Sequence, residues 1–189
     1  MKIILASRSP RRLHLLQSAG FSVEVCPSHI DETALPDESV QQMVERLCQA
    51  KAMAYQQTDD TPIIAADTLV CLHGQALGQP DDLAHAKHML QQLSGQEHEV
   101  FTAVCVRLHE HMMYQRVRTG VRFRQLDEAE IDTYLLHNDV LDKAGAYAIQ
   151  AGAASFIEAI DGPLDNVIGL PVRATLNMIA DIKNLGLST

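Results

Sequence analysis

Basic residues are scarce in this chain. Fifteen lysines and arginines face 24 aspartates and glutamates, a formal net charge of −9 over 189 residues. A general nucleic-acid binder needs a basic face, so that class is excluded and no nucleic-acid partner is expected. The sequence also lacks an apolar run of membrane-spanning length, so no membrane partner is expected. Met1-Lys2 leads into only the four apolar residues Ile3 to Ala6 before Ser7, too few for the core of a secretory signal; a cytoplasmic protein is the expectation. Cysteine is sparse. Cys26, Cys48, Cys71 and Cys105 are widely spaced in apolar surroundings and read as reduced core thiols, neither a disulfide frame nor a zinc site. His85 and His88 share a helix face without an evident third ligand, which favours two solvated histidines over a metal site. No repeat, long linker or low-complexity tract interrupts the chain, and no Gly-x-x-x-x-Gly-Lys-Ser/Thr loop is present, which argues against a nucleotide kinase.

What is there is 47% hydrophobic residues, enough for a real core, and an interleaving of helical and strand periodicities. Lys2 to Ala6 is a short apolar run. Ser9 reads as an N-cap and Pro10 as the first helical residue, with Gly20 as a stop. Phe21 to Cys26 alternates like a strand. Helical spacing runs from about Ser39 to Gln56, and Pro62 to Leu72 reads as a buried strand closed by a turn at His73-Gly74. Asp81 or Asp82 caps a helix ending near Leu93. His98 to Leu108 and Met113 to Leu126 form two long strands, followed by a helix from Asp127 to His137, a Gly/Ala-rich stretch from Asp142 to Ala154, a strand from Ser155 to Ile160 and a terminal helix from Pro171 to Leu185. The class is α/β, and the two consecutive long strands argue for a mixed sheet.

Several residues sit where structure alone does not want them. Arg11 and Arg12 fall in the first turn of a helix, against the positive end of its dipole. Two guanidinium groups there make sense if an anion binds at the helix start, most simply a phosphate; the alternative is two solvated arginines. Asp67 interrupts an otherwise apolar strand, where a carboxylate is expensive unless paired, hydrogen-bonded or bound to metal. A structural aspartate satisfied by backbone N–H groups or by Thr68 is the alternative. Asp31 and Glu32 add loop carboxylates that, with Asp67, offer oxygen ligands for Mg²⁺ or Mn²⁺, or a base toward water. Lys51 has small helix neighbours and can reach into a cleft; a solvated helix lysine is an equal reading. Asp142 to Gln150 combines charge, glycine and small residues, permitting close approach to a flat ligand, and the Gln150 amide can pair with a base. A buried structural turn competes with that reading.

Taken in order, Ala6-Ser7-Arg8-Ser9-Pro10-Arg11-Arg12, the Asp31-Glu32 loop, Lys51 among alanines, Ala65-Ala66-Asp67-Thr68, Leu93-Ser94-Gly95-Gln96, Thr102-Ala103-Val104, Asp142 to Tyr147 and Val167-Ile168-Gly169-Leu170-Pro171 resemble the Maf family of nucleoside triphosphate pyrophosphatases. The resemblance spans nearly the whole chain. It implies a single domain over residues 1–189, with a long curved mixed sheet, flanking helices and two lobes around a central cleft, as in the Maf and inosine triphosphatase-like folds. It implies cleavage between the α and β phosphates of a nucleoside triphosphate with a divalent metal cation, Mg²⁺ or Mn²⁺, in a cytoplasmic homodimer. Arg11 and Gln150 resemble the branch that cleaves dTTP and UTP. With that resemblance, Ser7, Ser9, Arg11, Arg12 and Lys143 are expected to hold phosphate, Asp67, Glu32 and Lys51 to be catalytic, Glu32 and Asp67 to bind metal, and Arg11, Gln79 and Gln150 to touch the substrate's specificity-determining parts.

Two departures stand out. Gly78-Gln79-Pro80 replaces the family's usual Gly-Lys-Pro, removing a phosphate-contacting charge, and alanines replace frequent glycines in Tyr147-Ala148-Ile149-Gln150-Ala151. A methyl group there narrows a base pocket or forbids a positive φ. The first departure keeps a second reading open: a nucleotide-binding regulator of cell division with weakened catalysis, in line with the family's association with septum formation.

Overall fold

A computed structural model describes residues 1–186; the last three residues of the expected 1–189 domain lie outside the described residues. The observed fold is mixed α/β, with seven strands and six α-helices among the described residues. The strands are β1 (Lys2–Leu5), β2 (Ser22–Val25), β3 (Ile63–Leu72), β4 (Gln75–Leu77), β5 (Glu97–Leu108), β6 (His111–Phe123) and β7 (Ile157–Asp161). The helices are α1 (Pro10–Ser18), α2 (Val40–Met53), α3 (Leu83–Leu93), α4 (Glu128–His137), α5 (Leu164–Ile168) and α6 (Val172–Gly186). The sheet runs β2-β1-β3-β5-β6-β7, with β4 folded back on β3. β1 lies parallel to β2 and β3, while β3–β4 and β6–β7 are antiparallel.

The chain divides into two compact units. The first holds Met1–Asp67, Thr102–Val117 and Gly169 onward; the second holds Thr68–Phe101 and Arg118–Ile168. Three of the four chain crossings fall inside the long strands β3, β5 and β6. Each unit has its own core. In the first, Ile3, Leu5, Ile64 and Val104 of the strands pack with Leu16 of α1 and Met178, Ile179 and Ile182 of α6. In the second, Val70, Val100, Val121 and Phe123 pack with Leu90 and Leu93 of α3, Ile131 of α4, and Tyr134, Tyr147 and Phe156.

Local chemistry explains the boundaries. Ser9 caps α1, its hydroxyl accepting from the Arg12 N–H, with Pro10 at the first position. Ser39 and Gln42 form a reciprocal capping box on α2, Asp82 caps α3, and Asp127 with Glu130 boxes α4. Some expectations shift. α2 ends at Met53, three residues before Gln56. β6 runs His111–Phe123, and Leu126 lies beyond it, beside the Asp127 cap. β4 and α5 are too short for a sequence period to reveal. The Gly/Ala-rich stretch is three 3₁₀ turns, Ala144–Ala146, Ile149–Ala151 and Ala153–Phe156. All four cysteines are free thiols, but Cys26 is only half-buried.

Candidate functional site

β1 is buried and ends at Leu5, so the chain leaves the sheet and turns directly into α1. The serines in that turn fix the arginine behind them. Ser7 Oγ accepts from the Ser9 N–H at 3.2 Å and from Arg12 Nη1 at 3.1 Å, and Arg12 Nε donates to the Gly169 carbonyl at 2.8 Å. The guanidinium is therefore set in place before any ligand arrives. Burial loosens its hold on the proton, and neighbouring Arg11 loosens it further, while Asp67 and Glu32 pull the other way. Ser7, Ser9, Arg11 and Arg12 thus share the start of α1.

The same unit holds a buried charge cluster. Lys51, in the last turn of α2, is only 8% exposed, so the solvated alternative does not hold. Its Nζ lies 2.5 Å from Asp67 Oδ1 and 2.9 Å from Glu32 Oε1. Asp67 is buried at 6% exposure within β3, and its partner is this ammonium. Burial pushes the Asp67 carboxyl above its ordinary range, against the pull of Lys51 and Arg12. The Glu32 side chain remains half-exposed on its loop. Asp31 plays a different part: its carboxylate accepts the Thr33 N–H at 2.9 Å and so shapes the loop that carries Glu32. Three cations, Arg11, Arg12 and Lys51, and two carboxylates, Glu32 and Asp67, gather in the first unit of a chain whose net charge is −9. A buried ammonium held by two carboxylates has one N–H left to offer an anion. A buried carboxylate with raised proton affinity is suited to accept a proton from water.

Lys51 takes one oxygen of each carboxylate. No group of three His, Cys, Asp or Glu that could hold a metal is found among the described residues. Two carboxylates alone fit Mg²⁺ that brings phosphate oxygens and water as its remaining ligands; they do not make an all-protein cage.

The remaining three residues lie in the second unit. Gln79 Nε2 donates to the Asp142 carbonyl at 3.3 Å, and the Gly145 N–H donates to the Gly78 carbonyl at 3.0 Å, so the 78–80 turn and the 142–145 segment are tied together. Lys143 is buried, and its ammonium is engaged by the Asp142 carboxylate at 2.5 Å and by the Asp139 carbonyl. Gln150 is exposed in the second 3₁₀ turn. The alanines do not clash with the backbone: Ala148 is extended at φ −143°. Positive φ falls at Gly145, Gly152 and Ala146. Gly145 is required twice over, because a Cβ there would also sit 3.0 Å from Val70 Cγ2. Ala146, at φ 60°, holds a conformation costing about 1–3 kcal/mol that its surroundings must enforce.

Sequence reasoning missed two elements of the site's support. The Gly169 carbonyl that takes Arg12 lies 157 positions away and carries no side-chain signal. The buried pair His98 Nε2 and Tyr147 Oη, at 2.8 Å, joins β5 to the 3₁₀ segment. Alternation from exposed Glu97 through buried His98 to Val100 was the available sign that His98 faces inward.

No helix among the described residues is long and apolar enough to cross a membrane. A protein from Coxiella burnetii described as a HAM1 protein shares the fold, with a TM-score of 0.51, 12% identity, and coverage of 96% of this chain and 99% of that one. Among curated proteins, the dTTP/UTP pyrophosphatase of Nitrosospira multiformis is 43% identical, covering 95% of this chain and 94% of its own. The dTTP/UTP pyrophosphatase of Geobacter sulfurreducens is 42% identical over 98% of this chain and 97% of its own. The family model described as Maf-like protein matches residues 2–182, and the chain belongs to the Maf family.

Proposed function

We propose that this chain is a nucleoside triphosphate pyrophosphatase that hydrolyses dTTP and UTP between the α and β phosphates, releasing the monophosphate and pyrophosphate. The observation that carries the proposal is the Lys51 ammonium wedged between Asp67 and Glu32 in the unit where Arg11 and Arg12 open α1. The name shared by relatives at 42–43% identity over nearly the full chain supports the substrate assignment. Under this proposal, Ser7, Ser9, Arg11 and Arg12 receive the triphosphate, with Lys143 adding charge. Lys51 offers its remaining N–H to a phosphate oxygen and ties the two carboxylates to one another. Asp67 orients water and accepts its proton, with its proton affinity already raised by burial. Arg11, Gln79 and Gln150 read the nucleotide. Glu32 and Asp67 hold a divalent cation, Mg²⁺ or Mn²⁺, which supplies charge stabilisation at the phosphoryl oxygens when bound. No covalent intermediate is required.

The proposal extends to the molecule's setting. The two units serve one Maf-like domain, supported by the unbroken family match over residues 2–182. The enzyme works in the cytoplasm as a homodimer and takes no nucleic-acid partner, in keeping with its charge of −9.

A second reading, a nucleotide-binding regulator of cell division with weakened catalysis, draws on Gln79. Its neutral amide is spent on the Asp142 carbonyl where a lysine would bring charge. Incubation with a panel of nucleotides and Mg²⁺ or Mn²⁺ separates the two. Monophosphate plus pyrophosphate is the expected product pair. Diphosphate plus phosphate points to another hydrolase, and binding without turnover points to the regulator.

A further inference from the structure

The second unit holds a buried polar pair that the proposed chemistry does not use. His98 is 1% exposed, and its Nε2 meets the Tyr147 hydroxyl at 2.8 Å. Its ring stands edge-on to Phe123, with centroids 4.9 Å apart, and to Tyr147 at 5.5 Å. Its Nδ1 is buried without a hydrogen-bond partner among the described residues. Such a group is costly to keep in a core, where a phenylalanine would fill the same space. Tyr134 is a second buried hydroxyl nearby in the packing: its Oη accepts the Ala148 N–H at 3.1 Å, and its ring packs on Phe156, which packs in turn on Phe123.

Both hydroxyls act on consecutive residues. Tyr147 is anchored through its side chain and Ala148 through its backbone. The Ala148 carbonyl then accepts the N–H groups of Ala151 at 3.0 Å and Ala153 at 3.3 Å, closing the turn that carries exposed Gln150. The chain just before is left-handed at Gly145 and Ala146, a shape it keeps only because it is held. The backbone geometry of Gln150 therefore hangs from two phenols, one of them held by an imidazole.

We propose that His98, acting through Tyr147, is a positioning residue that sets how Gln150 meets the nucleobase, and so sets nucleobase selectivity. This rests on the proposed reading of the site as one for nucleoside triphosphates. His98 acts as a neutral imidazole. Burial lowers its proton affinity, and the rings that stand edge-on to it are the phenol of Tyr147 and the apolar ring of Phe123.

The test compares wild type with His98→Phe, which keeps ring volume and edge-on packing but loses the hydrogen bond, and with His98→Gln, whose amide reaches the place of Nε2. Tyr147→Phe removes the bond from the other side. In His98→Phe and Tyr147→Phe, KM for dTTP and UTP is expected to rise about three- to tenfold, as loss of one buried hydrogen bond allows. The preference for pyrimidine over purine triphosphates should fall by a similar factor, with kcat little changed. His98→Gln should recover most of the preference. Competitive inhibition by inorganic tripolyphosphate, which has no base, should be unchanged in all three. Unaltered selectivity in His98→Phe and Tyr147→Phe overturns the proposal. So does a loss that falls equally on tripolyphosphate and nucleotides, because that marks a structural defect. Calorimetric binding of dTTP and dGTP without metal reads the same selectivity in a protein that hydrolyses nothing. Failure of the pyrophosphatase reading is thereby separated from failure of this one.

Discussion

The two units bury polar groups in opposite ways. In the first, buried Lys51 and Asp67 form a charged pair that half-exposed Glu32 joins, with Arg12 beside it. In the second, His98, Tyr147 and Tyr134 form a neutral cluster in which burial drives His98 down to about 4 and Tyr147 well up, so neither carries charge near neutral pH. Desolvation penalises charge in both places. In the first unit it is offset by opposite charges within 3 Å; in the second the groups give up their charge. A buried charged cluster is a poor way to gain stability, since an apolar core does as well or better. Its retention makes sense for chemistry on a polyanion. A neutral hydrogen-bonded aromatic cluster makes sense for holding a shape.

Removing charge from the first cluster is the strongest way to break this contrast. Asp67→Asn keeps the volume and should lower turnover on the order of 10²–10³-fold while leaving the fold intact. Pyrophosphate release at the wild-type rate would take Asp67 out of the mechanism. Lys51→Met is expected to cut turnover by about 10²-fold. It should also cost stability, on the order of 3 kcal/mol, because Asp67 would keep its burial and lose its ammonium. Denaturant unfolding alongside a pyrophosphate assay measures both, and a variant as stable as wild type would show that Asp67 is neutral in the folded protein.

The neutral cluster should answer to pH. His98 binds a proton at about 4 in the fold, against an ordinary value of 6.5 in the unfolded chain. Between those values the unfolded state holds more protons, so stability rises with pH through that window and falls on acidification, by on the order of 3 kcal/mol once pH drops below 4. His98→Phe should flatten that part of the curve. Thermal unfolding between pH 4 and pH 7 decides it, and an equally steep slope in the variant would assign the dependence elsewhere. Smallest is Gln79→Lys, which restores the family's usual charge at the 78–80 turn. A few-fold lower KM or higher turnover is expected, on the scale of one exposed charge. Unchanged kinetics would show that Arg11, Arg12 and Lys51 already suffice.

Much of the first unit was legible in advance. Ser9, Pro10 and the two arginines announce an anion-favouring helix start through local capping chemistry, and the structure has that helix there. Asp67 was legible as an anomaly because a strand's pattern leaves no room for a carboxylate. Its partner was not legible, because Lys51 lies sixteen residues away and pairing across that gap depends on how α2 lies against β3. Lys143 shows the same limit. Its place in a motif reads as charge for phosphate, and its bonds to Asp142 and the Asp139 carbonyl carry no sign in the sequence.

By itself the amino-acid order determined the α/β class, the caps that start α1 to α4 and the buried character of β1, β3 and β5. These follow from periodicity and from side chains bonding to their own neighbours within a turn. Only the tertiary structure decided that Lys51 is buried, that Arg12 is fixed by Gly169, and that His98 bonds Tyr147. Each of those depends on a contact between distant stretches, where burial sets both charge state and orientation, and no local pattern encodes the partner.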